Sequence, residues 1–127
     1  MGNPDALHSY TYVKDFGEAL VRLALDERSL GRAWHVPNAP AVSNRKFLEM
    51  AAAIAGVKPQ SKSLSLAMVK IVGLFIPVVR ELPELLYEFT DDFVVDHSDY
   101  TSTFGDHATA LDVSLSETIE WWRSHNK

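Results

Sequence analysis

The apolar period of the sequence changes between residues 7 and 20, and this change constrains the fold more than any other feature. Tyr10 and Tyr12 stand two positions apart with polar neighbours, which is the alternation of a strand. After Val13 the apolar residues follow at helical spacing, as Phe16 and Leu20 show. We therefore predict a short strand that runs directly into a helix.

A second strand-helix unit follows at once. Residues 32–36 are predicted to form a strand, 37–40 a turn, and 43–55 a helix. Ser43 is the expected N-cap of that helix, and Gly56 is the expected left-handed C-cap. Two consecutive units of this kind predict a right-handed crossover between two parallel strands. Because one parallel pair is too little sheet to be stable alone, we expect the chain to be part of something larger.

The remaining sequence predicts further helices and one more short strand. In the first helix, over about 14–27, the helical spacing predicts that Phe16, Leu20, Leu23 and Ala24 are buried. The other predicted elements are helices from the Ser63 cap to Pro77, from Pro83 through Phe89 and from Leu111 to His125, a strand at 93–95, and a short helix from Ser98 to Phe104 closed by Gly105. The predicted fold class is α+β, predominantly helical with about five helices and a small, partly parallel sheet, in a single domain over residues 1–127.

Composition excludes several classes of function. The net charge of −5 and the absence of any cluster of Lys and Arg argue against nucleic-acid and anionic-membrane partners. No cysteine is present, which excludes disulfides and thiolate metal sites, and with no secretion signal we expect a cytoplasmic protein. The longest apolar run, residues 71–79, contains Gly73 and Pro77 and is far shorter than the roughly 20 residues of a membrane span.

Tyr10 and Lys14 have the Tyr-x-x-x-Lys spacing that places an ammonium one helical turn from a phenol in short-chain dehydrogenases. Here the tyrosine lies on a predicted strand, where a residue four positions on is about 13 Å away. We therefore expect that the two side chains do not meet.

Histidines and acidic residues supply the other candidate groups. The five histidines lack the spacing that puts two metal ligands on one face, so no metal site is expected. His8 and His35 lie on predicted strands near helix N-termini, where either ligand contact or a simple hydrogen bond within the fold accounts for them. The acidic residues Asp91, Asp92, Asp96 and Asp99 suggest either a cation site or ordinary turn and capping chemistry.

Motifs that hold phosphates or activate nucleophiles are missing. The chain contains neither a glycine-rich dinucleotide loop nor a Walker sequence, and it has no nucleophile elbow. We therefore expect no cofactor site and no catalytic residue in this chain alone.

Taken together and in their order along the chain, the motifs resemble those of the C-terminal part of an extended or atypical short-chain dehydrogenase/reductase, of the NAD(P)-dependent epimerase/dehydratase group. The resemblance spans about Gly2 to Arg123. The matching motifs are Tyr10-Thr-Tyr-Val-x-Asp15-x-x-x-Ala19-Leu20, Trp34-His-Val-Pro-Asn38, Pro77-x-x-x-Glu81-Leu82-x-Glu84-x-x-Tyr87, Phe93-Val-Val-Asp96, Phe104-Gly105 and the closing helix that contains Trp121 and Trp122.

This resemblance implies that the two halves of such an enzyme have different roles. The upstream half of such enzymes forms the Rossmann fold, holds NAD or NADP and supplies the catalytic Tyr and Lys, while the part seen here closes over a small-molecule substrate. The substrate-facing residues that it implies are His8, Tyr10, Tyr12, His35 and Asn38. Nucleotide-sugar members usually carry an arginine where this chain has His8, so the resemblance favours the branch that acts on less charged compounds.

Two further expectations concern the chain by itself. A half-fold separated from its partner half exposes apolar surface, which predicts a homo-oligomer. The alternative to an enzyme part is a free-standing binding or interaction module that reuses the same half-fold.

Overall fold

A computed structural model describes residues 3–59 and 90–125 of the chain. It separates into two compact units, one made of residues 1–8 with 42–93 and the other of residues 9–41 with 94–127. The helices predicted between Ser63 and Phe89 lie outside the described residues. The single domain over 1–127 stays a prediction.

The described part of the chain is α+β and mostly helical, as predicted. It contains four α-helices and two short strands that pair with each other. The elements are β1 (Leu7–His8), α1 (Val13–Leu25), a 3-10 helix (Glu27–Ser29), β2 (Val42–Ser43), α2 (Asn44–Ala55), α3 (Ser98–Phe104) and α4 (Leu111–His125). No helix in these ranges is both long and apolar enough to cross a membrane.

The sheet of the first unit is antiparallel, so the predicted parallel pair is wrong. Leu7 pairs with Ser43 and His8 with Val42. A single parallel bridge joins His8 to Phe93, whose backbone N–H donates to the Leu7 carbonyl at 2.8 Å. The strand predicted at 93–95 is thus reduced to one residue.

Residues 10–12 and 32–36, which were predicted as strands, form no ladder in the structure. Individual side chains make the hydrogen bonds near these residues that a neighbouring strand would otherwise make. The Ser9 hydroxyl accepts from the Val95 N–H at 3.0 Å, and the Thr11 hydroxyl donates to the Asn38 side-chain oxygen. Pro37 lacks the N–H that a ladder requires. These segments are therefore fastened by individual side chains rather than by a sheet.

Both predicted ends of α2 are confirmed. The Ser43 hydroxyl accepts from the Lys46 N–H at 3.2 Å, which satisfies one of the N-terminal donors of the helix. Gly56 closes the helix with φ of 70°, a left-handed conformation in which glycine carries no Cβ penalty. A short stretch of sequence was sufficient to predict both ends of α2, because each cap residue bonds to backbone groups only a few positions away.

The core of the second unit is aromatic. Tyr100 is completely buried, and its ring contacts Trp34 and Phe104 at centroid distances of 6.4 and 5.1 Å. Trp34 and Phe104 meet edge to face at 5.0 Å. Arg22 of α1 donates to the Phe104 carbonyl at 2.9 Å, which ties α1 to the end of α3.

The buried face of α1 differs from the prediction. Asp15 and Ala19 are 5% and 0% exposed, whereas Phe16 and Leu20 are 45% and 52% exposed. The reason is the Asp15 carboxylate, which accepts from the Thr109 N–H at 2.7 Å and from its hydroxyl at 2.6 Å. Inward rotation of that carboxylate leaves exposed a set of apolar residues that we call the apolar arc: Val13, Phe16, Leu20, Val21 and Ala24.

Candidate small-molecule site

A cavity of about 410 Å³ lies within the second unit. Two stretches of chain form its wall, one just before the Pro37 turn and one at the start of α3. Its volume falls in the range of roughly 300 to 1,000 Å³ that is usual for small-molecule pockets. The lining residues are Arg32, Ala33, Trp34, His35, Asp96, His97, Ser98 and Asp99.

Arg32 and Trp34 build one part of this wall. The guanidinium carbon of Arg32 lies 4.0 Å from the centre of the Trp34 ring, which is a cation–π contact. The same guanidinium forms an ion pair with the Asp99 carboxylate. Trp34 is fixed in turn, because its indole N–H donates to the Ser29 carbonyl at 2.8 Å. The Trp34 ring in the cavity wall is therefore held in position and carries the Arg32 guanidinium on it.

His35 presents a hydrogen-bond acceptor. Its Nδ1 lies 3.0 Å from the Asp96 carbonyl oxygen, and because a carbonyl only accepts, Nδ1 must carry the proton. In the neutral ring Nε2 then keeps its lone pair. His35 is exposed, so that lone pair is available to a ligand hydroxyl.

Asp96 lies beside two histidines of the cavity wall, His35 and His97. Its carboxylate accepts from the Ser98 N–H at 2.9 Å and also from the Ser98 side chain, and these bonds, with smaller contributions from His97 and His35, lower the pKa of Asp96. Of the two explanations that the sequence left open for Asp96, a cation site or turn and capping chemistry, these bonds support the second. The same residue lines the cavity and adds a negative charge there.

Two polar atoms near this wall are buried without an acceptor or donor. Neither Nδ1 of His97 nor the hydroxyl of Tyr100 finds a hydrogen-bond partner among residues 3–59 and 90–125. In the same ranges, no group of three His, Asp or Glu side chains is arranged to hold a metal ion. The cavity is therefore described by its charges and its aromatic wall, not by a cation centre.

Tyr12 and Lys14 meet on a shared carboxylate, that of Glu117. The Tyr12 hydroxyl and the Lys14 ammonium each donate to the same oxygen of Glu117, both at 2.5 Å. Burial, with the neighbouring Glu117, raises the pKa of Tyr12, so the phenol remains a proton donor. This cluster fastens the start of α1 to α4.

Asn38 is also engaged within the fold. It is 5% exposed, its side-chain oxygen accepts from Thr11, and its amide N–H donates to the Val36 carbonyl at 3.1 Å. Tyr10 is partly buried, and this burial raises the pKa of its hydroxyl. The two hydrogen bonds hold the Asn38 side chain within the second unit.

The five predicted substrate-facing residues are divided between the units. His8 belongs to the first unit, where its Nδ1 lies 3.2 Å from the Ala6 carbonyl oxygen and 3.4 Å from the Asn44 amide nitrogen. Tyr10, Tyr12, His35 and Asn38 belong to the second unit, and of these His35 lines the cavity. Their assignment as substrate contacts stays a prediction.

Sequence reasoning missed most of the cavity wall. Arg32 was considered only as part of a strand, Trp34 as part of that strand and of a family motif, and His97 was not singled out. The adjacent residues Trp34 and His35, together with the acidic residues from Asp96 to Asp99, were the available signal. Nothing in the sequence indicated that these two stretches face each other.

Replacing Lys14 by methionine should raise the pKa of Glu117 toward its ordinary value of 4.5. The Lys14 hydrogen bond is the largest cause of the lowered pKa, and the Tyr12 hydrogen bond comes second. Tyr12→Phe should therefore raise it by a smaller amount. Because the folded-state pKa is depressed, the stabilisation from Glu117 is present above pH 4.5 and is lost as pH falls through the folded-state value.

Carbon-detected NMR titration of the Glu117 side chain measures both shifts. Glu120→Gln is the matched control, because it changes a glutamate three residues further along α4 and outside the cluster, and it should leave the titration of Glu117 unchanged. If Tyr12→Phe raised the pKa of Glu117 more than Lys14→Met did, the Lys14 hydrogen bond would not be the larger of the two causes.

Comparison with known proteins gives no relative from which a function can be transferred. No protein-family model, no curated protein and no solved structure matches this chain.

Proposed function

We propose that this chain is the substrate-binding portion of an NAD(P)-dependent epimerase/dehydratase or reductase of the extended short-chain type, the C-terminal half of a Rossmann-type enzyme, and that it is not catalytic alone. The observation that supports this most directly is the 410 Å³ cavity at residues 32–35. This stretch contains Trp34 and His35, the first two residues of the Trp34-His-Val-Pro-Asn38 motif. The family resemblance implies that residues of this motif face the substrate. His35, one of the five residues predicted to face the substrate, lines this cavity.

The cavity offers groups that bind and orient a ligand, and the proposal assigns the cofactor and the catalytic Tyr and Lys to the other half of the enzyme. Trp34 supplies an aromatic side chain that carries the Arg32 guanidinium, and Nε2 of the neutral His35 ring can accept a hydrogen bond when Nδ1 carries the proton. No glycine-rich phosphate cradle occurs in the sequence, so NAD or NADP belongs to the upstream half of the enzyme. In this proposal the chain orients a small-molecule substrate toward a nicotinamide that the other half holds.

The proposal is tested on the complete protein encoded by the reading frame that contains these 127 residues. His35→Ala should raise KM by about three- to tenfold and change kcat less, because a hydrogen bond that serves ground state and transition state equally affects KM. The matched control is His125→Ala, since His125 ends α4 and stacks on Trp121 outside the cavity. Unchanged kinetic constants in His35→Ala would overturn the assignment.

Calorimetry on the 127-residue chain tests the cofactor part separately. We expect the dissociation constants for NAD and NADP to be weaker than about 10 μM, which corresponds to roughly 7 kcal/mol. Tighter binding would contradict the placement of the cofactor in an upstream half.

A second candidate function is a free-standing small-molecule binding module. It is favoured by one observation, namely that the second unit forms the cavity from its own residues. A module of this kind binds its ligand at full affinity as the isolated chain, and addition of NAD or NADP leaves that affinity unchanged. A substrate-binding portion instead turns over substrate only in the complete protein with the nicotinamide present.

A further inference from the structure

We propose that α3 is a gate of the cavity: it opens as a local unit while the rest of the second unit stays folded, and it takes part of the cavity wall with it. This inference goes beyond the proposed function and does not depend on what the cavity binds. It is carried by the buried polar atoms of α3, by the contacts that hold the helix closed and by the backbone at its two ends.

Buried polar atoms without a hydrogen-bond partner are concentrated at α3. Among the described residues, the four side-chain atoms of this kind all fall between residues 97 and 107, and they are His97 Nδ1, Tyr100 Oη, Thr101 Oγ1 and His107 Nδ1. By contrast, the buried side chains of Asp15, Asn38 and Ser114 all make hydrogen bonds. A buried polar group without a partner gains hydrogen bonds when it reaches water, so these atoms favour an open form of α3.

The contacts that hold α3 closed are mainly those of two rings. Tyr100 and Phe104 pack against Trp34 at centroid distances of 6.4 and 5.0 Å. The Arg22 guanidinium adds one hydrogen bond, to the Phe104 carbonyl at 2.9 Å. With only seven residues, α3 is too short to be a stable helix without such packing. The population of the open form is therefore set by the balance between ring packing and the unpartnered polar atoms.

Both ends of α3 have a backbone that suits a hinge. Gly105 ends the helix with φ of 83° and ψ of 162°, a conformation that is essentially confined to glycine. Two residues later, His107 is fixed to α1, because its Nε2 donates to a backbone carbonyl of that helix at 3.1 Å. At the other end, His97 precedes the helix without a side-chain cap, and the Val95 N–H is held by the Ser9 hydroxyl at 3.0 Å. The moving part therefore starts at His97 and ends before Gly105.

Opening of α3 changes one side of the cavity. The residues that leave the wall are His97, Ser98 and Asp99. Asp96 stays, because its carbonyl accepts from Nδ1 of His35 at 3.0 Å. The ion pair between Asp99 and Arg32 is broken. A ligand then enters or leaves the cavity while the stretch that contains His35 keeps its place.

Native-state hydrogen exchange measures this opening in the full 127-residue chain. The reporters are the amides of Thr101 and Gly105, which donate to the carbonyls of His97 and Thr101, both at 3.0 Å. After correction for intrinsic rates, we expect them to exchange at least about tenfold faster than amides in the middle of α1, a difference of about 1.4 kcal/mol. Their opening should depend little on urea, because it exposes little surface.

Two tyrosine variants with the same chemical change should respond differently. Tyr100→Phe removes an unpartnered hydroxyl, so opening gains less hydration and the α3 amides should exchange about fivefold more slowly. Tyr12→Phe removes a hydroxyl that donates to Glu117 and destabilises the folded chain as a whole. It should leave the α3 amides unchanged, because the Tyr12 bond stays intact when α3 opens alone.

Arg32→Gln tests whether the cavity wall moves with the helix. It removes the partner of Asp99 without altering α3, so the α3 amides should exchange about two- to fivefold faster. Arg45→Gln is the matched control, because it breaks an exposed pair with Asp5 in the first unit and should leave these amides unchanged. The dispersion of the same spectra shows that each variant is folded.

Each part of the proposal has an outcome that overturns it. Exchange of the α3 amides by global unfolding alone, or their acceleration in Tyr12→Phe, would exclude a local opening. Unchanged or faster exchange in Tyr100→Phe would contradict the role of the unpartnered hydroxyl, and an unchanged rate in Arg32→Gln would exclude movement of the wall. None of these outcomes affects the kinetic test of His35→Ala, so the gate and the proposed function fail separately.

Discussion

Replacing Asp15 by alanine should lower the free energy of unfolding by about 3 to 5 kcal/mol. The carboxylate is 5% exposed and accepts two hydrogen bonds from Thr109, one from its backbone N–H and one from its hydroxyl. Hydrogen bonds to a charged acceptor are stronger than neutral ones, and their removal leaves two donors without a partner. Urea unfolding followed by circular dichroism measures the loss.

Two further variants make this result specific. Asp15→Asn keeps one oxygen that accepts and turns an amide N–H toward the other Thr109 donor, so its loss of stability should be intermediate. Asp5→Ala removes an exposed aspartate paired with Arg45 and should change stability much less. If Asp15→Ala and Asp5→Ala were equally destabilised, the buried carboxylate would not have the structural role assigned to it.

The second large effect concerns association. We propose that the isolated chain forms a two-fold dimer through the apolar arc, so light scattering at high concentration should give twice the 14.2 kDa of one chain. The arc runs along one side of α1 for about 16 Å, and its members Val13 and Val21 are 74% and 59% exposed. Monomeric proteins seldom leave a continuous apolar surface of such extent uncovered.

Dilution and substitution test the dimer together. The mass should fall to that of one chain across a hundredfold dilution, and Leu20→Lys should remain monomeric throughout because it places a charge in the middle of the arc. Val57→Lys, which changes an exposed valine outside α1, should dimerise like the unmodified chain. A constant mass of 14.2 kDa for the unmodified chain over the whole range would exclude the dimer.

Helix ends that depend on neighbouring residues could be predicted from the sequence. Ser43 and Gly56 act on backbone groups within four positions of themselves, and Gly105 ends α3 by a bond from its N–H to the Thr101 carbonyl. α4 has the bounds that its apolar spacing predicts. In each case the determining interaction lies within the window that the pattern covers.

Features that depend on distant partners could not be predicted in this way. Helical spacing indicated Phe16 and Leu20 as the buried side of α1, but the partners of Asp15 are 94 positions away and invert that choice. The alternation at Tyr10 and Tyr12 indicated a strand, yet the neighbouring polar side chain of Ser9 bonds to Val95, 86 positions away, and no ladder forms.

The candidate site was predicted in part for the same reason. His35 was a candidate because it lies on a predicted strand near a helix N-terminus, and it lines the cavity. The Arg32–Asp99 pair in the wall of that cavity joins residues 67 positions apart. Local patterns give the residue types in each stretch, whereas only the fold gives their juxtaposition.

The two segments of the second unit are separated along the chain by residues 42–93, and this has a consequence for folding during synthesis. The bonds from Tyr12 to Glu117 and from His35 to Asp96 span 105 and 61 positions. At usual rates of translation, residues 42–93 take about 3 to 10 s to make. Residues 9–41 therefore wait on the ribosome without their partners, and slower translation of the intervening residues lengthens the time in which chaperones or proteases have access to Trp34 and the apolar arc.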